Sequence, residues 1–387
     1  MVGEADMVTL VEFMEKSNQS KKRTAISLFT GAGGMDIGIT KADFDVLACI
    51  EKDHYCCETL RFNIKREGRK TTVIEKDITT VDPNALMKEL RLEKGRLDLL
   101  FGGPPCQAFS MIGKKEGLED ERGLLLFQMV RFAKVLKPKA ILIENVKGLV
   151  GAKDKKGKVG GILLKLLSQL DALGYVPKWK IINSADLGVP QKRERVFIVA
   201  TQKPNGFEFP AAKYNDPGSP TLLPLKSYVT AGEALAGLPC PSKKNDTNAD
   251  SFPNHIDVTP QGDRNRINGV SEGKPLAKEM HLPISQRKGL TRKDTTKFLR
   301  LSRSRPSNTL RCGEIFFHPT DNRLLTPREY MRLHGFPDEY VLMGPVRSRS
   351  GRVRDLDQHR QVANSVPPIV AEEIGIEIRR VFDAQNI

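Results

Sequence analysis

Short apolar runs alternate along the first half of the chain with longer stretches whose apolar residues recur at helical spacing. Ala25-Ile26-Ser27-Leu28-Phe29 is the first run. It closes on the Gly-rich Thr30–Gly34, a pattern that predicts strand, tight turn and helix start. Val46–Ile50 predicts a second strand ending in Glu51, followed by a helix from Asp53 to about Ile64. Thr72–Glu75, Leu97–Phe101, Ala140–Ile143 and Val196–Ala200 predict four further strands. The third ends near Asp77, the fourth in Gly102-Gly103 and the fifth just before Glu144-Asn145. Helices are predicted over Leu124–Leu136, stopped by Lys137-Pro138, and over Gly161–Leu173, closed by Gly174. Apolar strands alternating with helices predict an α/β fold with a doubly wound, mostly parallel sheet. Ligands of such sheets lie at the carboxyl ends of the strands, where the Gly-rich and acidic signals of this chain fall.

The texture changes after about residue 201. Residues 201–303 hold 11 of the 24 prolines and no long periodic helix, with 16 Lys and Arg against 10 Asp and Glu. Between Arg287 and Arg305 eight residues are basic and one is acidic, so the stretch could track a phosphate backbone or form a solvated loop face. Periodicity returns at Thr326–Leu333 and Ser365–Phe382. The pattern divides the chain into an N-terminal extension (1–23), a first domain (24–202), a smaller loop-rich domain (203–303), and a segment (304–387) whose final helix returns to the first domain.

Composition adds one constraint. The 387 residues carry 62 Lys and Arg against 47 Asp and Glu, a formal charge of +15, which suggests a polyanionic partner. No apolar run approaches the roughly 18 residues of a membrane span. The first residues carry Glu4 and Asp6 and lack a basic start, so no secretory signal is expected. None of the six cysteines forms a Cys-x-x-Cys pair. A reduced, metal-free, cytosolic protein is the expectation.

Candidate chemistry sits at the strand ends. Phe29-Thr30-Gly31-Ala32-Gly33-Gly34 could be a cofactor loop or simply a tight turn, since Asp36 stands where a dinucleotide fingerprint has its third Gly. Glu51 could accept from ribose hydroxyls and Asp77 from an adenine amino group, or each could be an exposed loop carboxylate. Gly102-Gly103-Pro104-Pro105-Cys106-Gln107 would display a thiol on a rigid loop, unless Cys106 is a buried structural cysteine. Glu144 could donate a proton from a partly apolar cleft, or cap a helix. Arg193 and Arg195, two apart at the start of a strand, could face one electron-rich group together or block an exposed edge.

In this order the pieces resemble the cytosine carbon-5 DNA methyltransferase family of bacterial restriction–modification systems. The matching residues are Phe29–Gly34, Glu51, Asp77, Gly103–Cys106, Glu144-Asn145-Val146 and Gln191–Arg195. The match resumes with Arg305–Thr309, Arg323–Glu329, His334–Pro337 and Gln361–Pro367. It covers about residues 24–201 and 304–382, and the insert corresponds to the family in position alone. Ala363 departs from the Gly that usually precedes Asn-Ser-Val-Pro.

The resemblance implies a class I S-adenosylmethionine-dependent fold with residues 203–303 as a DNA-reading, target-recognition domain. It implies catalysis by Cys106, Glu144, Arg193 and Arg195. It also implies a cofactor site made by Phe29, Thr30, Gly31, Ala32, Gly33, Gly34, Glu51, Lys52, Asp77, Ile78, Pro105, Asn364, Ser365 and Val366. S-adenosyl-L-methionine is the implied cofactor, without a metal. The implied partner is double-stranded DNA, read by a monomer in the cytoplasm that could be paired genetically with a restriction endonuclease. A transfer-RNA cytosine methyltransferase, a non-catalytic DNA-binding regulator and a nicotinamide oxidoreductase are the competing readings.

Overall fold

The computed structural model describes residues 22–105, 125–154, 157–202, 206–218, 224–243, 252–287, 298–347 and 355–385. Cys106, most of the basic stretch before Arg303 and nearly all of the N-terminal extension lie outside the described residues. Seven strands form one sheet: β1 (Arg23–Leu28), β2 (Phe44–Glu51), β3 (Thr72–Glu75), β4 (Leu99–Gly102), β5 (Ala140–Val146), β6 (Tyr175–Asn183) and β7 (Glu194–Gln202). Their order is β3-β2-β1-β4-β5-β7-β6, parallel from β3 to β5, with β7 antiparallel to both β5 and β6.

The central strands β1, β2, β4 and β5 are mostly apolar because both faces of the sheet are covered there. Side chains alternate between two cores. Ala25, Leu99, Phe101, Ala140, Leu142, Phe197 and Val199 enter one, with helix Pro368–Gln385. Ile26, Leu28, Leu100, Ile141, Ile143, Val196 and Ile198 enter the other, with helices Leu125–Leu136 and Gly161–Ala172. The C-terminal helix approaches helix Gly34–Lys41 closely: a Cβ on Gly38 would fall 2.2 Å from the Pro368 carbonyl oxygen. Phe382 and Ile378, fully buried, each contribute about 1.5–3 kcal/mol to that docking. A third core gathers Tyr330, Leu333, Phe316 and Phe317 with Ile267 and Leu276 of the insert and with Ala32 and Ile37 beneath the glycine loop.

The structure corrects three details of the sequence reading. β6 was not foreseen: as an edge strand carrying Pro177 and three lysine or tryptophan positions in a row, it lacks the apolar signature. β5 does not stop at Ile143, because the antiparallel partner β7 pairs with it through Glu144, Asn145 and Val146. The helix expected over Ser365–Phe382 starts only at Pro368 and runs to Gln385, since Pro367 and Pro368 disfavour helical backbone just before them, and a separate helix, Gln358–Asn364, precedes it without having been expected.

Candidate functional site

The glycine loop leaves β1 in left-handed backbone. Phe29, Gly31 and Gly33 have φ of 54°, 57° and 79°. Apart from its chain neighbours, no described residue stands within 4 Å of a Cβ on Gly31, which leaves room for a ligand there, whereas a Cβ on Gly34 would fall 2.3 Å from the Val366 carbonyl oxygen. The loop is tied from below. The Thr30 hydroxyl donates to Ser27 Oγ (2.9 Å), the Ser27 hydroxyl donates to Asp36 Oδ2 (3.0 Å), and the Cys49 thiol donates to Asp36 Oδ1 (3.1 Å). Tyr340 donates its hydroxyl to the Ala32 carbonyl at 2.9 Å. Burial raises the Asp36 carboxyl to about 6, against the lowering effect of its two donors.

Glu51 ends β2 and accepts three backbone N–H bonds at 2.8 Å each, from Gly31, Lys52 and Asp53. Burial nonetheless raises its pKa. Asp77 caps the short turn Ile78–Thr80 by accepting from the Thr79 N–H at 3.0 Å, and this bond, with Lys52 Nζ 3.4 Å away, lowers its pKa. Ile78 is buried and Lys52 exposed.

Glu144 lies buried near the end of β5. Its Oε1 is 3.1 Å from Arg195 Nε, and its Oε2 would stand 3.2 Å from a Cβ on Gly103, at the start of the Pro-Pro-Cys loop. Desolvation raises its pKa, against the attraction of Arg195 and Arg193. The neighbouring Asn145 donates to the Pro104 carbonyl at 3.1 Å and so anchors that loop. Pro105 is exposed, and Cys106, the expected nucleophile, follows it outside the described residues.

Arg193 immediately precedes β7 and is buried. Its Nη2 donates to the carbonyls of Ala363 (2.9 Å) and Ser365 (3.2 Å), while Nε and Nη1 are buried and have no hydrogen-bond partner among the described residues. Burial, with Arg195 nearby, lowers its pKa to about 9. The Ser365 carbonyl also accepts from His334 Nε2 at 2.9 Å, and His334 Nδ1 accepts from the Gln191 amide at 2.9 Å. That pair of bonds fixes a neutral imidazole, whose pKa burial drives well below its ordinary value.

One cleft at the carboxyl ends of β1, β4 and β5 is lined by Phe29, Thr30, Gly31, Glu144, Asn364, Ser365 and Val366. Gly103 and Asp36 line it too, though the sequence reading assigned neither a role there. Ala32, Gly33 and Gly34 are buried and support the loop. Glu51 joins the cleft through its bond to Gly31, while Lys52, Asp77 and Ile78 stand at the neighbouring strand ends. His334, which donates to the Ser365 carbonyl, and Gln191, which donates to His334, lie in the matching segments His334–Pro337 and Gln191–Arg195, but the sequence assigns them no role.

The sequence profile of the C-5 cytosine-specific DNA methylase family matches residues 23–380. The chain is 31% identical over 375 residues to the Type II methyltransferase M.NgoFVII of Neisseria gonorrhoeae, covering 95% of this chain and 89% of that protein. It is 33% identical over 375 residues to the Type II methyltransferase M.PspPI of a Psychrobacter species, covering 94% and 81%. Its fold matches a prophage-encoded E. coli protein assigned as a DNA modification methyltransferase, with a TM-score of 0.66 at 22% identity, over 93% of this chain and 99% of that one.

Proposed function

Given that this chain belongs to the C-5 cytosine-specific DNA methylase family, we propose that it methylates carbon 5 of a cytosine flipped out of a specific duplex DNA sequence, through a covalent adduct with Cys106. The observation that carries this reading is Glu144: a buried carboxyl with a raised pKa, paired with Arg195 and facing the residue that opens the Pro-Pro-Cys loop.

Carbon 5 of cytosine is a weak nucleophile. Addition of the Cys106 thiolate to carbon 6 breaks the carbon 5–carbon 6 π bond and delivers its electron pair toward carbon 5. Glu144 stabilises the adduct by giving a proton to ring nitrogen 3, a role that needs a carboxyl kept protonated by burial. Arg195 donates to the base's carbonyl oxygen and orients Glu144, and the buried Arg193 adds positive charge beside it. Carbon 5 takes the methyl group and loses its proton to a base, the returning electrons expel the thiolate, and ring nitrogen 3 gives its proton back to Glu144. The reaction requires the base outside the helix, since its ring is inaccessible in the stack.

S-adenosylmethionine, when bound, supplies an electrophilic methyl group on a sulfonium. The cleft fits such a group: Gly31 leaves its backbone uncovered, Glu51 retains acceptor capacity beside it, and the wall Asn364–Val366 is locked by Arg193 and His334. We assign the cofactor to Phe29–Gly34, Glu51, Lys52, Asp77, Ile78, Pro105 and Asn364–Val366. We assign target recognition to residues 203–303, and methylation of host DNA in a type II restriction–modification system, by a monomer in the cytoplasm, as its setting. The relatives' names support that setting.

The test is methyl transfer from labelled cofactor to duplex DNA and, separately, to transfer RNA. Transfer to DNA, lost in Cys106→Ala while cofactor binding persists, supports the reading. Transfer to transfer RNA alone, or a Cys106→Ala protein that still methylates DNA, overturns it.

A further inference from the structure

Among the described residues, the carboxyl groups of Glu144, Asp77, Glu51 and Asp36 stand in or beside the cleft, and three of these four have evident partners. Glu144 has Arg195 at 3.1 Å, Asp77 has Lys52 at 3.4 Å, and Glu51 has three backbone N–H donors. Asp36 differs. It is 2% exposed and receives one hydroxyl and one thiol, from Ser27 and Cys49. No Lys, Arg or His pairs with it among the described residues, and Arg69 acts on it only through longer-range attraction. A carboxylate so placed leaves negative potential in the floor of the cleft, because neutral donors stabilise a charge without cancelling its field.

The cofactor and its spent product differ in charge at one atom. S-adenosylmethionine carries a sulfonium cation; S-adenosylhomocysteine carries a neutral thioether. Their amino, carboxylate, ribose and adenine groups are the same. We propose that Asp36 is a specificity-determining residue that selects the cationic cofactor over the neutral product by charge, from beneath the glycine loop. This rests on the reading of the cleft as the cofactor site. Asp36 acts through the field it sets up and by holding Ser27, and through Ser27 the loop residue Thr30. Product release is favoured by the same term, since methyl transfer removes the charge that Asp36 attracts.

The experiment is calorimetric binding of S-adenosylmethionine and S-adenosylhomocysteine to the full chain, wild type and Asp36→Asn, at pH 7.5. The amide keeps the shape and removes the charge. Loss of a unit charge lining the same cleft is expected to weaken S-adenosylmethionine binding on the order of tenfold and S-adenosylhomocysteine binding far less. Ser27→Ala keeps the charge and loosens the loop, so it is expected to weaken both ligands together and leave their ratio unchanged. Product binding also reports that each variant has folded around its site. An unchanged affinity ratio in Asp36→Asn overturns the inference while leaving the cofactor site standing. A Ser27→Ala protein that alters the ratio as strongly as Asp36→Asn overturns it as well. Wild-type protein that binds neither ligand overturns the functional reading and this inference with it.

Discussion

Asp36→Asn is expected to gain stability relative to wild type as pH rises from 4.5 to 7.5 in the ligand-free protein, even as it weakens cofactor binding. The Asp36 carboxyl rises from an ordinary 3.8 to about 6 because burial penalises its charged form. The folded state therefore holds the proton more tightly than the unfolded chain. Stability falls as pH rises from about 4 through about 6, and the full cost of the buried charge is present above that range. At about 1.4 kcal/mol per unit, the cost is roughly 3 kcal/mol, of which about 2 kcal/mol accrues between pH 4.5 and 7.5. The asparagine side chain has no such pH term. Any penalty for burying its amide hydrogens is the same at both pH values and cancels on subtraction. Urea unfolding of both proteins at pH 4.5 and 7.5 isolates the effect. The stability of Asp36→Asn relative to wild type is expected to grow by about 2 kcal/mol toward pH 7.5. A relative stability that stays constant, or that falls toward pH 7.5, would refute the assignment of Asp36 as a buried charge without a counter-ion.

Other perturbations report on different parts of the cleft. Glu144→Gln is expected to lower kcat by a factor of about 10² to 10⁴ with cofactor affinity retained. In wild type the rate falls as pH rises through the raised pKa of Glu144, because the proton donor is lost, and this limb is absent from the residual activity of the variant; rate against pH checks both. Gly34→Ala places a methyl group 2.3 Å from the Val366 carbonyl oxygen. A loss of about 1–3 kcal/mol in unfolding free energy is expected, with weaker cofactor binding by calorimetry. Exchange of residues 203–303 for the insert of a relative with another target is expected to move the methylated site, read by bisulfite sequencing, without abolishing transfer. An unchanged site would remove target recognition from the insert.

The parallel part of the sheet was legible because strands buried on both faces are mostly apolar, so β1, β2, β4 and β5 stand out against amphipathic helices. β6 was not, because an edge strand with one solvated side needs no such run, and Lys178, Trp179 and Lys180 conceal its period. The same limit hid the end of β5: Glu144 reads as polar loop, but it pairs with Phe197 in the sheet. Glu51 and Asp77 stood out as acids at strand ends. Asp36 carried a signal of another kind. It occupied a position where a glycine would complete a nucleotide-binding fingerprint, and its burial beside Ser27 and Cys49 depends on the neighbouring strands β1 and β2.

Arg193 marks the point where sequence spacing and packing part. Its separation of two from Arg195 suggests twin arginines sharing one face of a strand. Packing divides their work. Arg195, in β7, turns its guanidinium to Glu144. Arg193, one residue before the strand, spends Nη2 on the carbonyls of Ala363 and Ser365, more than 160 residues away in the chain. Those carbonyls end helix Gln358–Asn364, where the last carbonyls have no partner within the helix and need an outside donor. The arginine clamp fixes the wall Asn364–Val366 at that helix end. His334 seconds the clamp by donating to the same Ser365 carbonyl. The wall assigned to the cofactor and the arginine assigned to the base pocket are thus one hydrogen-bonded unit. Arg193→Lys, which supplies a charge without the planar fork, is expected to disturb both at once. The measurable sign is a rise in KM for the cofactor together with a fall in kcat; a change in kcat alone would separate the two sites.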